Sequence, residues 1–505
     1  MFIRLVFLSV TIVIPAIAAD WKPAPVPIAT RWAKDVSPDK VHPEYPRPQM
    51  VRKDNWINLN GLWRYGISEK NKEPEDKNQE ILVPFCVESS LSGVGKRVGP
   101  DQAIWYQRSF KKPDLKGGRL LLHFGAVDWH CKVTINESTL VGEHKGGFDP
   151  FTFDITEALN EGERQQIDVW VWDPTDAGSQ PVGKQIRNPH GIWYTPVSGI
   201  WQTVWLEVVP ASYIQQIRSV PDIDDGSVTI TVDCQNAKQG DQILLTFLVD
   251  EKIALRVVEP GKAIKMMVPN AKLWSPDSPY LYQGGAQLLR NQKPVDIVES
   301  YFAMRKISFG PDEKGVQRML LNNKPLFQYG PLDQGWWPDG LYTPPTEEAM
   351  VYDLKVLKDL GMNMLRKHIK VESSRYYYHC DKLGLLVWQD MPSAINRDKK
   401  HFISPTAKDD AVFNAEEKAI FRKELKAMID HLSFFPSIVC WVPFNEGWGQ
   451  HDTNDVLKWT MEYDKTRLVN GPSGWTDRGV GHMKDAHIYP GPGMFPVMKL
   501  SLIHI

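Results

Sequence analysis

The hydrophobic period of this chain changes near Gly310. Upstream, apolar residues alternate with polar ones in short runs such as GLWRYGI, RLLLHFGAV, QQIDVWVWD and WQTVWLEVV, separated by Gly, Pro, Asn and Asp clusters. Successive side chains of a strand point to opposite faces, so this alternation predicts β-sandwiches. Downstream, the apolar runs LFQYG, MNMLR, LLVWQD, IVCWVPFNE, RLVNG and AHIY are separated by stretches with a period near 3.6. That pattern predicts strand–helix units around a mostly parallel sheet, about six of the eight that close a (β/α)8 barrel. A length of 505 residues accommodates such a barrel together with two smaller domains.

The domain boundaries follow from the same reading. Residues 1–19 form a signal peptide, 20–45 an extended Pro-rich arm, 46–211 the first β-sandwich, 212–308 a smaller immunoglobulin-like β-sandwich and 309–505 the barrel. Two barrel helices are legible. Thr346 caps one, with Glu347 and Glu348 in its first turn, Met350, Val351, Leu354 and Leu357 on one face, and Gly361 as its stop. The other runs from about Ala415 to Leu432, with Phe421, Leu425, Met428, Ile429 and Leu432 facing inward.

The signal peptide rests on Arg4, the apolar run from Leu5 to Ile14 and the small-residue pattern Ala16-Ile17-Ala18. It implies a secreted or periplasmic protein with no membrane contact after cleavage. Lys and Arg number 59 against 61 Asp and Glu, a formal net charge of −2, so no global field gathers nucleic acid or an anionic membrane. Cys86, Cys131, Cys234, Cys380 and Cys440 are scattered without a CxxC pair and do not form a disulfide framework. Nineteen Trp, 19 Phe and 16 Tyr supply flat apolar faces that stack on sugar rings as well as fill cores.

In a parallel barrel the C-terminal ends of the strands face the loops that build active sites. Those ends offer Asp333 and Trp336, Arg366 and His368, Asp390, Asn445 and Glu446 with Trp448 close behind, Trp475, and finally His487 and Tyr489. The run IVCWVPFNEGWG delivers Asn445 and Glu446 side by side at the mouth of a buried strand. A partly desolvated pocket there is expected to raise the proton affinity of Glu446, making it a general acid/base. His368, Asp390, Glu446 and His487 lack a tight ligand spacing such as HExxH, so neither a metal nor another cofactor is expected. The chain also lacks a GxSxG elbow and a Gly-rich phosphate loop.

Taken together, these residues resemble glycoside hydrolase family 2, which contains β-galactosidases, β-glucuronidases and β-mannosidases. RPQMVRKDNWINLNGLWRY and SGIWQTVWLE are similar to the opening and closing strands of that family's sugar-binding jelly roll. AKLWSPDSPYLY with FAMRKISF is similar to its immunoglobulin-like domain running into the barrel. GMNMLRKH and CDKLGLLVWQDMP are similar to barrel strands two and three, and WVPFNEG to the acid/base signature. The resemblance covers nearly the whole chain after the signal peptide. It implies a multidomain β plus α/β fold: jelly roll, immunoglobulin-like sandwich, then an incomplete TIM barrel.

The resemblance further implies a secreted retaining exo-β-glycosidase acting on a terminal β-linked sugar, with a β-galactosidase-like activity as the lead. Retaining enzymes need two carboxyl groups about 5–5.5 Å apart, one protonating the leaving oxygen and one attacking the anomeric carbon. Glu446 matches the first, Asn445 the ligand of the sugar 2-hydroxyl, and Arg366 a bidentate partner of a carboxylate. Asp333, Trp336, His368, Asp390, Trp448, Trp475, His487 and Tyr489 remain candidates for hydroxyl binding or stacking. The family nucleophile is a Glu ending the seventh strand, whereas no Asp or Glu follows Asp485 here. The chain is therefore read as C-terminally truncated and inactive alone. The alternative is a non-hydrolytic carbohydrate-binding protein on a glycosidase scaffold. The partner in either case is a β-glycoside and not nucleic acid; the sugar, the linkage and the oligomeric state stay open.

Overall fold

A computed structural model describes residues 21–249, 252–396, 399 and 401–489. The expected signal peptide and the tail from residue 490 onward lie outside the described residues. In the first domain a four-stranded antiparallel sheet, ordered 56–58, 204–209, 119–124 and 151–154, packs on a six-stranded one. The larger sheet is ordered 79–83, 61–69, 102–111, 164–172, 130–135 and 139–145. The sequence alternation becomes packing directly. Leu120, Leu122 and Phe124 of one sheet share a core with Ile104, Tyr106, Ile167, Val169 and Val171 of the other, while the intervening residues of 164–172 are less buried. The second domain pairs a three-stranded with a four-stranded antiparallel sheet around Ile230, Leu245, Phe247 and Phe302.

The third domain holds five parallel strands: β1 (Leu332–Asp333), β2 (Met364–Lys367), β3 (Leu386–Asp390), β4 (Ile438–Val442) and β5 (Leu468–Val469). Four helices lie between or beside them: α1 (Glu347–Asp359), α2 (Ser374–Leu383), α3 (Ala415–Leu432) and α4 (Thr453–Tyr463). Two of them, α1 and α3, start with side-chain caps. Thr346 Oγ1 accepts from the Ala349 N–H, and Asn414 with Glu417 forms a reciprocal capping box at α3.

Two expectations are corrected here. The first strand is Leu332–Asp333 rather than LFQYG, because Pro331 brings no N–H to a ladder and pairing becomes regular only beyond it. The Tyr329 and Pro331 carbonyls still accept from Asn363 and Arg366. AHIY is not a sixth strand. Among the described residues, the segment beside β5 makes one isolated bridge, Asn470–Met483, and the reciprocal bonds of His482 N–H to Val469 O and of Val469 N–H to His482 Nδ1, with no continuous ladder. From Asp485 onward the segment's bonds go to Asn470, Ser473, Gly474 and Glu446 at the strand ends. The described residues thus contain five barrel strands, one fewer than the periodicity predicts.

Barrel side chains fall into two layers. Met364, Leu386, Trp388, Val439, Val442 and Leu468 point to the barrel axis and meet Ile307, Met319 and Leu321 of the hairpin that leads into the domain. Leu365, Val387, Trp441 and Val469 point outward against the helices. Arg305, from the FAMRKISF junction, closes the floor by donating to the carbonyls of Pro436, Thr466 and Ile438 at 2.9–3.0 Å. Burial pushes this guanidinium down to about 9, and the three carbonyl acceptors offset part of that desolvation. All five cysteines are free. No helix among the described residues is long and apolar enough to cross a membrane.

Candidate active site

Alternation along β2 and β3 decides which polar side chains reach the barrel mouth. Arg366 and Asp390 are axis-facing and meet in a bidentate pair, Nε to Oδ1 at 2.8 Å and Nη2 to Oδ2 at 2.9 Å. The same Nη2 donates to Asn445 Oδ1 at 2.9 Å, which binds the fourth strand's exit to the second and third. His368 Nδ1 lies 2.9 Å from Asp390 Oδ2, and the Ile369 N–H reaches that oxygen as well. Burial opposes ionisation of Asp390, but Arg366 and then His368 outweigh it and hold the carboxyl below its ordinary value. Asp390 is therefore saturated by protein donors and acts on Arg366 and His368. Burial likewise pushes the His368 imidazole down, against the pull of Asp390.

Beyond β4 the strand direction persists for one more residue pair. Asn445 bridges Ser473 in parallel register, and the Glu446 N–H donates to Ser473 O at 2.9 Å. Glu446 then takes a left-handed backbone, φ +51°, followed by Gly447 at +73°. A carboxylate residue in that region is strained by about 1 kcal/mol or more, a feature that concentrates at functional positions. Gly447 is required here, since an added Cβ would stand 2.6 Å from the Ile403 carbonyl.

Glu446 Oε1 accepts from Tyr489 Oη at 2.8 Å and lies 2.8 Å from His487 Nδ1, while Oε2 faces Asn445 Nδ2 at 3.4 Å. Burial pushes the carboxyl up, as the sequence predicts. The hydrogen bonds from His487 and Tyr489 outweigh it, however, and Glu446 sits below its ordinary value. The expected raised proton affinity is thus corrected, because two donors arrive from a segment far along the chain. Behind them Asp485 accepts from Asn470 Nδ2, Ser473 Oγ and the Gly474 N–H, and Ser473 Oγ lies 3.0 Å from His487 Nε2.

Asp333 belongs elsewhere. It aligns with Lys367 in register, so both face outward, where its carboxylate accepts from Lys367 Nζ at 2.8 Å and Tyr376 Oη at 2.6 Å. Its expected place as a strand-end sugar ligand is corrected by that parity. Trp336 stacks on Tyr194, ring centroids 4.6 Å apart, and meets Tyr342 at 4.5 Å. Trp475 is half-buried on the turn after Ser473.

One wall of the site comes from the first domain, which the barrel motifs do not reveal. The irregular stretch between Asp173 and Ser198 docks on the barrel through the Val182 and Gly183 N–H groups, both donating to Ser393 O, and through a Pro181–Ala394 bridge. It brings Trp193 to 4.7 Å from Trp448, Tyr194 onto Trp336, and the Lys184 ammonium to 5.5 Å from the Trp448 ring centre. The available signal was length: a long Pro/Gly-rich loop inside a sandwich is more often functional than filler.

The arrangement offers a buried carboxyl group at a strand mouth, an amide beside it, an arginine fixing that amide, and aromatic faces around them, which suits protonation and binding of a polyhydroxylated ligand. Comparison with known proteins is consistent with it. The models described as glycosyl hydrolases family 2, sugar binding domain, as glycosyl hydrolases family 2, and as glycosyl hydrolases family 2, TIM barrel domain, match residues 95–210, 212–305 and 316–486. A β-glucuronidase of Streptococcus agalactiae is 24% identical over 424 residues, covering 79% of this chain and 68% of that protein. A β-galactosidase of Thermoanaerobacter pseudethanolicus is 26% identical over 438 residues, covering 82% of this chain and 53% of that protein. The chain thus spans between half and about two thirds of these relatives' lengths. Among solved structures, the Ruminococcus gnavus β-glucuronidase shares the fold with a TM-score of 0.68 at 19% identity, covering 86% of this chain and 75% of that one. The Dictyoglomus thermophilum β-D-glucuronidase shares it at 0.66 and 21% identity, covering 84% and 73%. With three family models in their proper order along one chain, and with Asn445 and Glu446 at the barrel mouth where the third of them matches, the chain belongs to glycoside hydrolase family 2.

Proposed function

We propose that this protein is a secreted or periplasmic exo-acting β-glycosidase of the retaining type, with Glu446 as general acid/base. The observation that carries the reading is the pairing of Glu446 with Asn445 at the mouth of β4, with Asn445 held by Arg366. The relatives' names support a terminal β-linked pyranoside as substrate. In the first half-reaction Glu446 gives its proton to the glycosidic oxygen as a carboxylate attacks the anomeric carbon. In the second, Glu446 takes a proton from water, which attacks the same carbon and releases the sugar. Asn445 donates to the 2-hydroxyl in both.

Asp390 and Asp485 are poor nucleophile candidates, since each is engaged by three or more donors. No acidic residue follows Asp485, and we place the nucleophile outside this sequence. A second carboxylate about 5 Å from Glu446 would also raise its proton affinity, supplying the acid form that the first half-reaction needs.

The test is hydrolysis of aryl β-glycosides by the longer protein that contains the nucleophile, with this chain alone expected to bind them but release little phenol. In the longer protein Glu446→Ala should slow phenyl glycosides by about 10²–10⁴-fold and dinitrophenyl glycosides far less, since a good leaving group needs no proton. Added azide should then give a β-glycosyl azide. Undiminished turnover of phenyl glycosides by Glu446→Ala would remove this residue from its role. A longer wild-type protein that binds glycosides and never cleaves them would favour the carbohydrate-binding alternative.

A further inference from the structure

Lys184 is a buried cation with no anion in contact among the described residues. It stands on the first-domain loop that docks on the barrel, its backbone carbonyl accepting from the Tyr194 N–H at 2.9 Å, and the residue is only 6% exposed. The neighbouring buried cations are all paired: Arg366 with Asp390, Lys367 with Asp333 and Glu372, Lys370 with Glu372. Among the described residues Lys184 Nζ has no carboxylate within 4.0 Å and no side-chain hydrogen bond. Its company at the mouth is the face of Trp448, the imidazole of His368 and the carboxylate of Glu446, whose charge is felt by the ammonium from outside contact distance. Glu446 is not free to become its partner, because Oε1 is already held between His487 and Tyr489.

Removing an ammonium from water is costly, and a neutral hydroxyl returns little of that free energy; an anion in the same low-dielectric space returns much more. We propose that Lys184 is a specificity-determining residue that pairs with an anionic substituent, carboxylate or sulfate, on the glycoside seated between Trp448 and Glu446. The first domain then selects the charge of the sugar while the barrel supplies the chemistry. This rests on the reading of the mouth as a glycoside site. It also departs from the neutral β-galactoside lead of the sequence.

Calorimetric titration of the full chain with non-hydrolysable phenyl 1-thio-β-glycosides tests it without requiring turnover. The probes are the glucuronide, the galactoside and the galactoside 6-sulfate. At least one anionic probe should bind about tenfold or more tighter than the neutral one, and Lys184→Gln should erase that preference by weakening the anionic probe more than the neutral one. Lys184→Arg should retain most of it. The anionic probe that binds identifies the source of the charge. Equal affinities in the wild type, or a preference that survives Lys184→Gln, overturns the role of Lys184 and leaves the glycoside site standing. Absence of binding by all three probes overturns both. Should Lys184→Gln fail to fold, the preference measured in the wild type at 50 and 500 mM salt decides: one that does not shrink with salt overturns the proposal.

Discussion

His487 places Nδ1 2.8 Å from Oε1 of Glu446, although 41 residues of chain separate the two. With Tyr489 on the same oxygen, it holds a buried carboxyl group below its ordinary value where burial alone would do the opposite. His487→Phe removes one of the two donors and leaves burial less opposed. The Glu446 titration should therefore move to higher pH, as read by ¹³C NMR of glutamate-labelled protein. A downward or absent shift would mean that His487 is not what lowers it. Tyr489→Phe should move it the same way.

Arg366 serves two acceptors that a lysine cannot serve together. Its planar fork meets both oxygens of Asp390 and also Asn445 Oδ1. Arg366→Lys keeps the charge but loses the fork, and about 1–3 kcal/mol of stability is expected to go with it. Glycoside affinity should fall as Asn445 loses its anchor. Denaturant melts and calorimetry would measure the two effects, and a variant as stable and as tight-binding as wild type would contradict this account.

Glu424 couples the domain contact to pH. Its Oε1 accepts from Trp129 Nε1 of the first domain at 2.9 Å, and burial, aided by the charge of Asp149, pushes the carboxyl up to about 8 from 4.5. Below the unfolded value both states are protonated and the contact contributes fully. Between about 4.5 and 8 the unfolded chain releases a proton that the folded chain retains, so stability falls as pH rises through this window and is lost above it. Glu424→Gln keeps the acceptor and removes the titration. It should be the more stable protein at pH 8.5, by on the order of a few kcal/mol relative to the difference at pH 4, in paired thermal melts. Parallel pH profiles would rule out Glu424 as the group responsible.

Gly447 and Gly361 separate backbone strain from collision. Both have left-handed backbones, φ +73° and +79°, but an added Cβ meets Ile403 O at 2.6 Å in the first and nothing within 4 Å in the second. Gly361→Ala should cost about 1 kcal/mol from backbone strain alone. Gly447→Ala should cost clearly more and weaken glycoside binding, because the turn carrying Glu446 must shift. Equal losses in the two melts would show that the Ile403 contact is absorbed without movement.

Local physics accounts for what the sequence made legible. The helix Ala415–Leu432 and the Thr346 cap depend on neighbours a few residues away, and both stand where the apolar spacing puts them. Strand 438–442 is one apolar run, so Asn445 and Glu446 at its exit could be named from the chain alone. The first and sixth barrel strands could not, because a short apolar run does not say whether a neighbour is present to receive its hydrogen bonds.

Composition and periodicity, then, settled the class of each domain, the order of the three and the residue at the mouth of β4. Tertiary structure decided the rest. Asp333 turns away from the mouth because its register with Lys367 sets its parity; Glu446 is held ionised because His487 and Tyr489 fold back onto it; Lys184 enters the site because a loop of a different domain docks on Ser393. The physical reason is range: helix and strand preferences act over a few residues, whereas the electrostatics of a buried group depend on whatever the fold brings within a few ångströms of it.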